Sequence, residues 1–296
     1  MLDVVVAPER PTVAGTDVPG TVRLRPGGSA ANVARGLARL GVRVQLVTAV
    51  GRDAAGRALV EAVRRDGVRV RAVRVASRPS GRIAVLVTRG GERSFVADRG
   101  AADELTAGHL RPGWFGGAEL LHLPAYSLLG APLGGAGLAA VDLARRAGGR
   151  ISVDLASSGP LLAAGRQAAE SLLERVAPDL LFATAGEAAG LLGARPLERL
   201  VDWSPIVIVK RGADGATVLA RGPEEPPLRL EVATRPIPTA DTTGAGDAFD
   251  AGFLAAWLTA DRDRAGSPAV LQRATAAGHR AAARHLSTPP AELSWK

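Results

Sequence analysis

Aspartate and glycine residues are concentrated between positions 239 and 253, in the string TADTTGAGDAFDAGF. After the glycines, Phe249, Phe253 and Trp257 recur at every fourth position, which predicts a helix with one buried face that begins at or just before Asp247. A carboxylate and glycines at the start of a helix can support proton transfer and anion binding. This segment is therefore the first candidate for chemistry.

The chemistry that suits this segment is phosphoryl transfer. Gly244 and Gly246 would let backbone amides turn toward a ligand, and the N–H groups of the first helical turn would point the same way. Asp247 could then accept a proton from an attacking hydroxyl while the amides hold the phosphoryl oxygens. The alternative is that Asp247 only complements the helix dipole and the glycines form a tight turn. The spacing alone leaves both open.

A second candidate lies in the string PGGSAANVARGLARLG, at 26–41. Gly27 and Gly28 permit a close approach to the backbone, and Asn32 offers both a donor and an acceptor to hydroxyl groups. The alternative is a glycine turn followed by an N-capped helix.

Together the strings DTTGAGDAF and PGGSAANVARGLARLG resemble the two signatures of the ribokinase-like (PfkB) carbohydrate kinases, and further similarity spans nearly the whole chain. The resemblance implies that Asp247 is the catalytic base, and that the amides forming the anion hole belong to Gly244, Ala245 and Gly246. It also implies that the sugar contacts are Gly27, Gly28 and Asn32.

The segment VKRGADGATV, at 209–218, resembles the part of the family that lines the nucleotide site. An ordinary hairpin turn is the alternative. There is no GxxxxGK[ST] string, so a Walker P-loop is excluded. The resemblance implies ATP contacts from Lys210, Gly212, Ala213, Asp214 and Gly215.

Some positions depart from the family pattern. In TAGE, Thr184 replaces the usual asparagine, whereas Glu187 remains and is expected to organise Mg²⁺ through water. Thr184 keeps a hydroxyl for a phosphate or a metal-bound water. His279 stands where an asparagine is common, and either contacts the adenine or is merely solvated. Asp241 and the loop STPPA resemble a monovalent-cation site, which makes K⁺ a candidate ligand.

The acceptor contacts also differ. Where ribokinase has an acidic sugar contact, this chain has Pro124 and Ala125, which argues against ribose. The start, MLDVVVAP, is similar to what normally follows the first central strand of the family. Asp3 would then be the sugar-binding aspartate. We expect that strand to be missing from this chain, either because Met1 is an internal methionine of a longer protein or because the strand has been lost.

Apolar β-branched runs alternate with Ala- and Leu-rich helical patterns through most of the chain, which predicts an α/β fold. We expect one ribokinase-like domain over 1–296, with a doubly wound, mainly parallel sheet covered by helices on both faces. Two regions instead resemble hairpins, and we assign them to a small β-sheet lid formed by about 4–25 and 68–100.

Composition narrows the class of protein. The chain has 296 residues, no cysteine and a formal net charge of +8, carried almost entirely by arginine. The arginines are spread out and few aromatic residues could stack on bases, so nucleic-acid binding is not expected. No apolar run is long enough to span a membrane, and no signal peptide is recognisable. We expect a soluble, cytoplasmic protein that pairs through its lid into a homodimer, as members of this family often do.

The resulting hypothesis is an ATP- and Mg²⁺-dependent kinase that phosphorylates a hydroxymethyl group of a sugar or sugar-like acceptor. A nucleoside kinase of the same family is the nearest alternative. A nucleoside pocket needs an apolar or aromatic shelf for the base, and the lid strands have few aromatic residues, with Phe95 the main one, which favours a sugar. A catalytically weak sugar-binding or regulatory protein on a kinase scaffold is the alternative from another class.

Overall fold

The structure is a computed structural model, and it describes residues 1–87, 93–222, 226–239, 241–288 and 292–293. The chain, predicted to be one domain, divides into two compact units. The first comprises Met1–Leu105, Pro238–Asp247 and Arg284–Lys296, and the second comprises Thr106–Ile237 and Ala248–Ala283.

The first unit contains two sheets and two helices. Its strands are β1 (Leu2–Pro8), β2 (Gly20–Pro26), β3 (Gln45–Gly51), β4 (Arg69–Val75), β5 (Arg82–Val87) and β6 (Arg93–Asp98), and its helices are α1 (Ser29–Arg39) and α2 (Ala54–Arg65). Four strands form a sheet in the order β2-β1-β5-β6, in which only β1 and β5 are parallel. This sheet is built from the two regions in which the sequence predicted a lid.

One strand differs from the prediction. The lid was expected to include residues from 68 onward, but β4 pairs in parallel with β3 in a separate two-stranded sheet. The reason is that α2 lies between the two strands along the chain, and a helical crossover of this length joins parallel strands. Apolar side chains of α2 and of both strands share one core cluster.

The second unit is an open, mixed sheet with helices. Its strands are β7 (Leu120–Pro124), β8 (Arg150–Asp154), β9 (Leu180–Thr184), β10 (Ile206–Lys210), β11 (Ala216–Ala220) and β12 (Leu228–Val232). Their order is β12-β11-β10-β9-β8-β7. Strands β7 to β10 are parallel, whereas β11 is antiparallel to β10 and β12 is antiparallel to β11. The helices are α3 (Leu133–Arg146), α4 (Ser158–Leu162), α5 (Arg166–Val176), α6 (Ala185–Leu192), α7 (Ala245–Trp257) and α8 (Pro268–Leu286), and the first turn of α7 and the last turn of α8 belong to the first unit.

The α/β fold class predicted from the sequence is confirmed, with mixed sheets and helices on both sides. The buried strands β9 and β10 consist of apolar residues up to their last positions, where Thr184 and Lys210 stand. Because parallel strands end at one edge of a sheet, this edge collects polar groups, as in other open α/β sheets. None of the described helices combines the length and the apolar character that a membrane span requires.

Candidate active site

Asp247 lies in the first turn of α7, which begins at Ala245, as predicted. Asn32, on α1, donates a hydrogen bond of 2.9 Å from Nδ2 to Oδ2 of Asp247, although the two residues are 215 positions apart. The two candidate strings, PGGSAANVARGLARLG and DTTGAGDAF, are therefore joined by a side-chain hydrogen bond. This bond fixes the orientation of the carboxylate that the sequence nominates as a base.

The loop before Asp247 adopts a left-handed backbone conformation at Gly244. Gly244 has a φ of 79°, in the left-handed region that favours glycine. A Cβ at this position would lie 3.1 Å from Nε2 of His285, so there is little room for any other residue. The amide of Ala245 donates to the carbonyl of Thr242 at 3.1 Å, which departs from the expectation that it points at a ligand. The other N–H groups of the first helical turn lack intrahelical partners by the nature of a helix start.

Thr243 is bonded on both sides of its backbone. Its N–H donates to Oδ1 of Asp241 at 3.0 Å, and its carbonyl accepts from Nε2 of His285 at 2.7 Å. Arg25 forms an ion pair of 2.9 Å with Oδ2 of Asp241. Burial would raise the pKa of Asp241, but the hydrogen bonds from Arg25 and Thr243 outweigh burial and lower that pKa to about 2. Asp241, expected as a possible K⁺ ligand, thus has a protein cation beside it.

Asp3 lies on β1 and packs directly against Gly27. A Cβ at Gly27 would collide with both carboxylate oxygens of Asp3, so any other residue there would displace this carboxylate. Burial raises the pKa of Asp3 to about 6, Asp247 contributes in the same direction, and the terminal ammonium and Arg25 oppose the rise. Gly28, at a φ of 97°, caps α1.

Three buried polar atoms of the first unit lack hydrogen-bond partners among the described residues. They are Oδ1 of Asp3, Nε of Arg25 and Oγ of Ser29. Asp3 and Arg25 are directly opposite each other on β1 and β2, and Ser29 begins α1 just after Gly28. Buried polar groups without partners are rare, so a carboxylate oxygen and two donors in this condition indicate a place for a hydroxyl-bearing ligand. Sequence reasoning found Asp3 but missed Arg25 and Ser29.

Thr184 and Glu187 form a capping box at the start of α6. Oγ1 of Thr184 accepts from the amide of Glu187 at 3.2 Å, and Oε2 of Glu187 accepts from the amide of Thr184 at 2.8 Å. Burial raises the pKa of Glu187 and Asp154 adds to the rise, while the bond from Thr184 and the charge of Lys210 oppose it. The pair thus has a structural role, and its expected roles toward phosphate and Mg²⁺ stay predictions.

Lys210 is the centre of a buried ion cluster. Its Nζ lies 3.2 Å from Oδ2 of Asp154 on β8 and 3.0 Å from Oδ1 of Asp250 on α7. Burial would lower the pKa of Lys210, but the two carboxylates outweigh it and raise that pKa above its usual value. Sequence reasoning expected Lys210 to contact ATP and missed both aspartates. A carboxylate at the end of a buried strand was the available signal for Asp154.

The expected nucleotide segment forms a short 3₁₀ turn, Gly212–Asp214, between β10 and β11. Gly215 has a φ of 85°, and a Cβ there would collide with the carbonyl of Val232. Nε2 of His279 donates to the same carbonyl at 3.2 Å, and its ring packs edge-on against Phe249 with centroids 5.1 Å apart. His279 and Gly215 therefore both lie against the carbonyl of Val232. Burial lowers the pKa of His279.

The fold of this chain is that of ribokinase-like kinases. An adenosine kinase from Sinorhizobium meliloti superposes with a TM-score of 0.81 at 22% identity, covering 99% of this chain and 94% of that one. A fructokinase from Vibrio cholerae O395 in a fructose, ADP and calcium ion bound form gives a TM-score of 0.78 at 22% identity, covering 99% and 93%.

The sequence is also similar to kinases. The family model described as pfkB family carbohydrate kinase matches residues 1–293. Fructokinase-1 of Oryza sativa subsp. japonica is 31% identical over 257 residues, which cover 82% of this chain and 78% of the relative. The chain belongs to the PfkB family of carbohydrate kinases, and it is a phosphotransferase with an alcohol group as acceptor.

Proposed function

We propose that this kinase transfers the γ-phosphoryl group of ATP to a hydroxymethyl group of a sugar or sugar-like acceptor, with Asp247 as the general base. The observation that carries the proposal is the bond from Asn32 to Asp247, because it joins a residue expected to hold the acceptor to the residue expected to take its proton. The similarity to a fructokinase supports a sugar as the acceptor.

In this proposal the first unit holds the acceptor. Asp3 accepts hydrogen bonds from the hydroxyl groups of the acceptor, and Arg25 and Ser29 donate to oxygens of the acceptor. These bonds would satisfy the three unpartnered buried atoms. Gly27 and Gly28 let the acceptor approach the backbone.

The proton and the phosphoryl group then move in one step. The acceptor hydroxyl attacks the γ-phosphorus, its proton passes to Asp247, and the bond to the bridging oxygen of ADP breaks. Asn32 keeps the carboxylate oriented during the attack. Amides of Gly244, Gly246 and the first helical turn stabilise the charge on the phosphoryl oxygens, without that of Ala245, which donates to the carbonyl of Thr242.

ATP is assigned to the groups that the family resemblance implies. Its proposed contacts are Thr184, Lys210, Gly212, Ala213, Asp214, Gly215 and His279. The ADP and calcium ion in the V. cholerae fructokinase support the use of a nucleotide and a metal. Glu187 fits Mg²⁺ held through water, because its carboxylate is partly accessible and Mg²⁺ keeps several waters, and the ion would neutralise phosphate charge. K⁺ at Asp241 stays a prediction, since Arg25 already places a positive charge there.

A nucleoside acceptor is the rival within the family, and the similarity to an adenosine kinase structure keeps it in view. A nucleoside pocket needs an apolar or aromatic shelf for the base. Phe95 shares the Asp3 face of the four-stranded sheet, since the register aligns Val5 with Val85 and Val85 with Phe95. Phe95 is 59% exposed, and a single exposed ring makes a poor shelf for a base, so a sugar is favoured over a nucleoside.

The proposal includes a homodimer formed through the four-stranded sheet, supported by apolar side chains exposed on the face opposite Asp3. It also includes a cytoplasmic location, where ATP is available.

Two assays test the proposed function. ATP consumption measured over a panel of sugars and nucleosides identifies the acceptor class. Asp247→Asn should keep ATP binding and lower kcat about 10²–10⁴-fold, because a positioned base is removed. Thermal unfolding of the variant reports the cost of merely perturbing α7. If Asp247→Asn turns over like the wild type, Asp247 is not the base.

A further inference from the structure

The backbone just before the proposed anion hole is held from two sides by side chains. On one side, Oδ1 of Asp241 accepts from the amide of Thr243 at 3.0 Å. On the other side, Nε2 of His285 donates to the carbonyl of Thr243 at 2.7 Å. A carbonyl can only accept, so His285 carries its proton on Nε2 in this arrangement.

Asp241 is itself fixed. Its second carboxylate oxygen pairs with Arg25 at 2.9 Å, and the side chain of Arg25 is only 14% exposed. Arg25 belongs to β2 of the four-stranded sheet and His285 to the last turn of α8. The Thr243 backbone is thus tied to two regular elements that are far apart along the chain.

This matters because the next residue is Gly244. At a φ of 79° it occupies one of several conformations that glycine adopts with similar ease. Without restraint on Thr243, the amides of Gly244 and Gly246 would sample orientations that do not meet the phosphoryl oxygens. Preorganised amides stabilise transferred charge, whereas mobile ones must first be ordered.

We propose that His285 and the Arg25–Asp241 ion pair are positioning groups, which hold the Thr243 backbone so that the anion-hole amides are aligned before ATP arrives. This inference rests on the proposed function, since it concerns the same anion hole. His285 touches the loop and not the reacting atoms, so its effect should fall on kcat.

The variants are His285→Ala, which removes the donor, and His285→Gln, which can place an amide N–H near the position of Nε2. His285→Ala should lower kcat about 10- to 100-fold, because small misalignments of catalytic groups have effects of this size. KM for ATP and for the acceptor should change less than about 3-fold, since uniform binding is retained. His285→Gln should recover most of the lost kcat. Arg284→Ala, at the adjacent exposed position, is the matched control and should behave like the wild type.

Asp241→Ala tests the other side and should also lower kcat. Because both side chains restrain the backbone of one residue, Thr243, the double variant His285→Ala with Asp241→Ala should lose less than the product of the two single losses. Thermal unfolding of each variant separates loss of alignment from loss of the fold, and a kcat loss that simply follows a lowered Tm contradicts the inference.

The failure of this inference is distinguishable from the failure of the proposed function. If Asp247→Asn abolishes turnover while His285→Ala and Asp241→Ala retain wild-type kcat, the anion hole stands and the positioning role is wrong. If Asp247→Asn retains turnover, the proposed function itself fails. Equal loss of kcat in His285→Ala and His285→Gln, with unchanged Tm, would also overturn the inference, because the donor would then be irrelevant.

Discussion

Asp3, the proposed contact for the acceptor, carries a buried carboxylate whose ionisation lowers the stability of the fold. Its carboxylate is buried against Gly27, one of its oxygens lacks a partner among the described residues, and its pKa is raised from 3.8 to about 6 by burial and by Asp247. A raised pKa for an acid means that the folded chain binds a proton more tightly than the unfolded chain does. Ionised Asp3 therefore destabilises the fold at neutral pH.

We predict that Asp3→Asn stabilises the protein and weakens acceptor binding. At pH 7 to 8 the free energy of unfolding should rise by on the order of 1–3 kcal/mol. The gain should shrink as the pH falls from about 6 toward 3.8, because the wild-type carboxyl is then protonated in the fold. KM for the acceptor should rise roughly 10-fold or more, as expected for a lost hydrogen bond to a charged group.

Urea unfolding across this pH range and acceptor kinetics measure the two effects. Asp17→Asn, in the exposed loop between β1 and β2, is the control and should alter neither. A stability gain that is independent of pH would show that ionisation of Asp3 is not its cause.

The sequence was sufficient to nominate Asp247, Asn32, Gly27 and Asp3, because these residues lie within strings that resemble those of the PfkB family, whereas types and spacing alone left alternatives open. It could not nominate Arg25 or His285. Arg25 meets Asp241 across 216 positions, and nothing local distinguishes it from the many other arginines. Contacts between distant segments depend on the folded path of the chain, which local patterns do not specify.

At the scale of elements, the Lys210 cluster joins β8, β10 and α7 of the second unit. Asp154 and Asp250 are almost fully buried, with side chains 6% and 0% exposed. Two carboxylates in such surroundings need the ammonium between them, since a buried charge without a partner is strongly destabilising. The cluster therefore holds the helix that begins at the proposed anion hole against the sheet.

We predict that Lys210→Met destabilises the protein by about 3–5 kcal/mol, the usual effect of removing one partner from a buried ion pair. Adding Asp250→Asn should recover part of this loss, because one uncompensated charge is removed. Arg211→Met is the matched control, since this arginine is 33% exposed in its ion pair with Glu231 and should contribute at most about 1 kcal/mol. Denaturant unfolding of the variants decides, and a Lys210→Met loss no larger than the control's would contradict the buried-cluster argument.

The alternation of apolar runs and helical patterns was enough to predict the parallel part of the second sheet. The misplacement of β4 shows the limit of that pattern. Its string RVRAVRV alternates arginine with apolar residues, which suits an antiparallel hairpin as well as a parallel edge strand. Only the crossover through α2 determines the parallel pairing with β3, and composition does not reveal which strand a crossover will reach.

At the scale of the whole molecule, the four-stranded sheet has two faces of different character. The face that carries Asp3 and Arg25 also carries Val85, which is 2% exposed. On the opposite face, Val6 pairs with both Val22 and Leu86. Leu86 pairs with Ser94, and Val96 lies two positions further along β6, so its side chain is on the same face. Val22, Leu86 and Val96 are 65%, 41% and 65% exposed.

An exposed apolar face of this kind is typical of a surface that meets a partner, and the proposed homodimer would cover it. We predict that the wild type has twice the 30.3 kDa mass of the chain in solution. Leu86→Lys combined with Val96→Lys should give a monomer, because paired subunits would have to bury these charges. Light scattering after size exclusion measures the masses. Phe95→Lys, on the Asp3 face, is the control and should leave the dimer intact. A double variant that stays dimeric, or a monomeric wild type at micromolar concentration, would place any self-association elsewhere or exclude it.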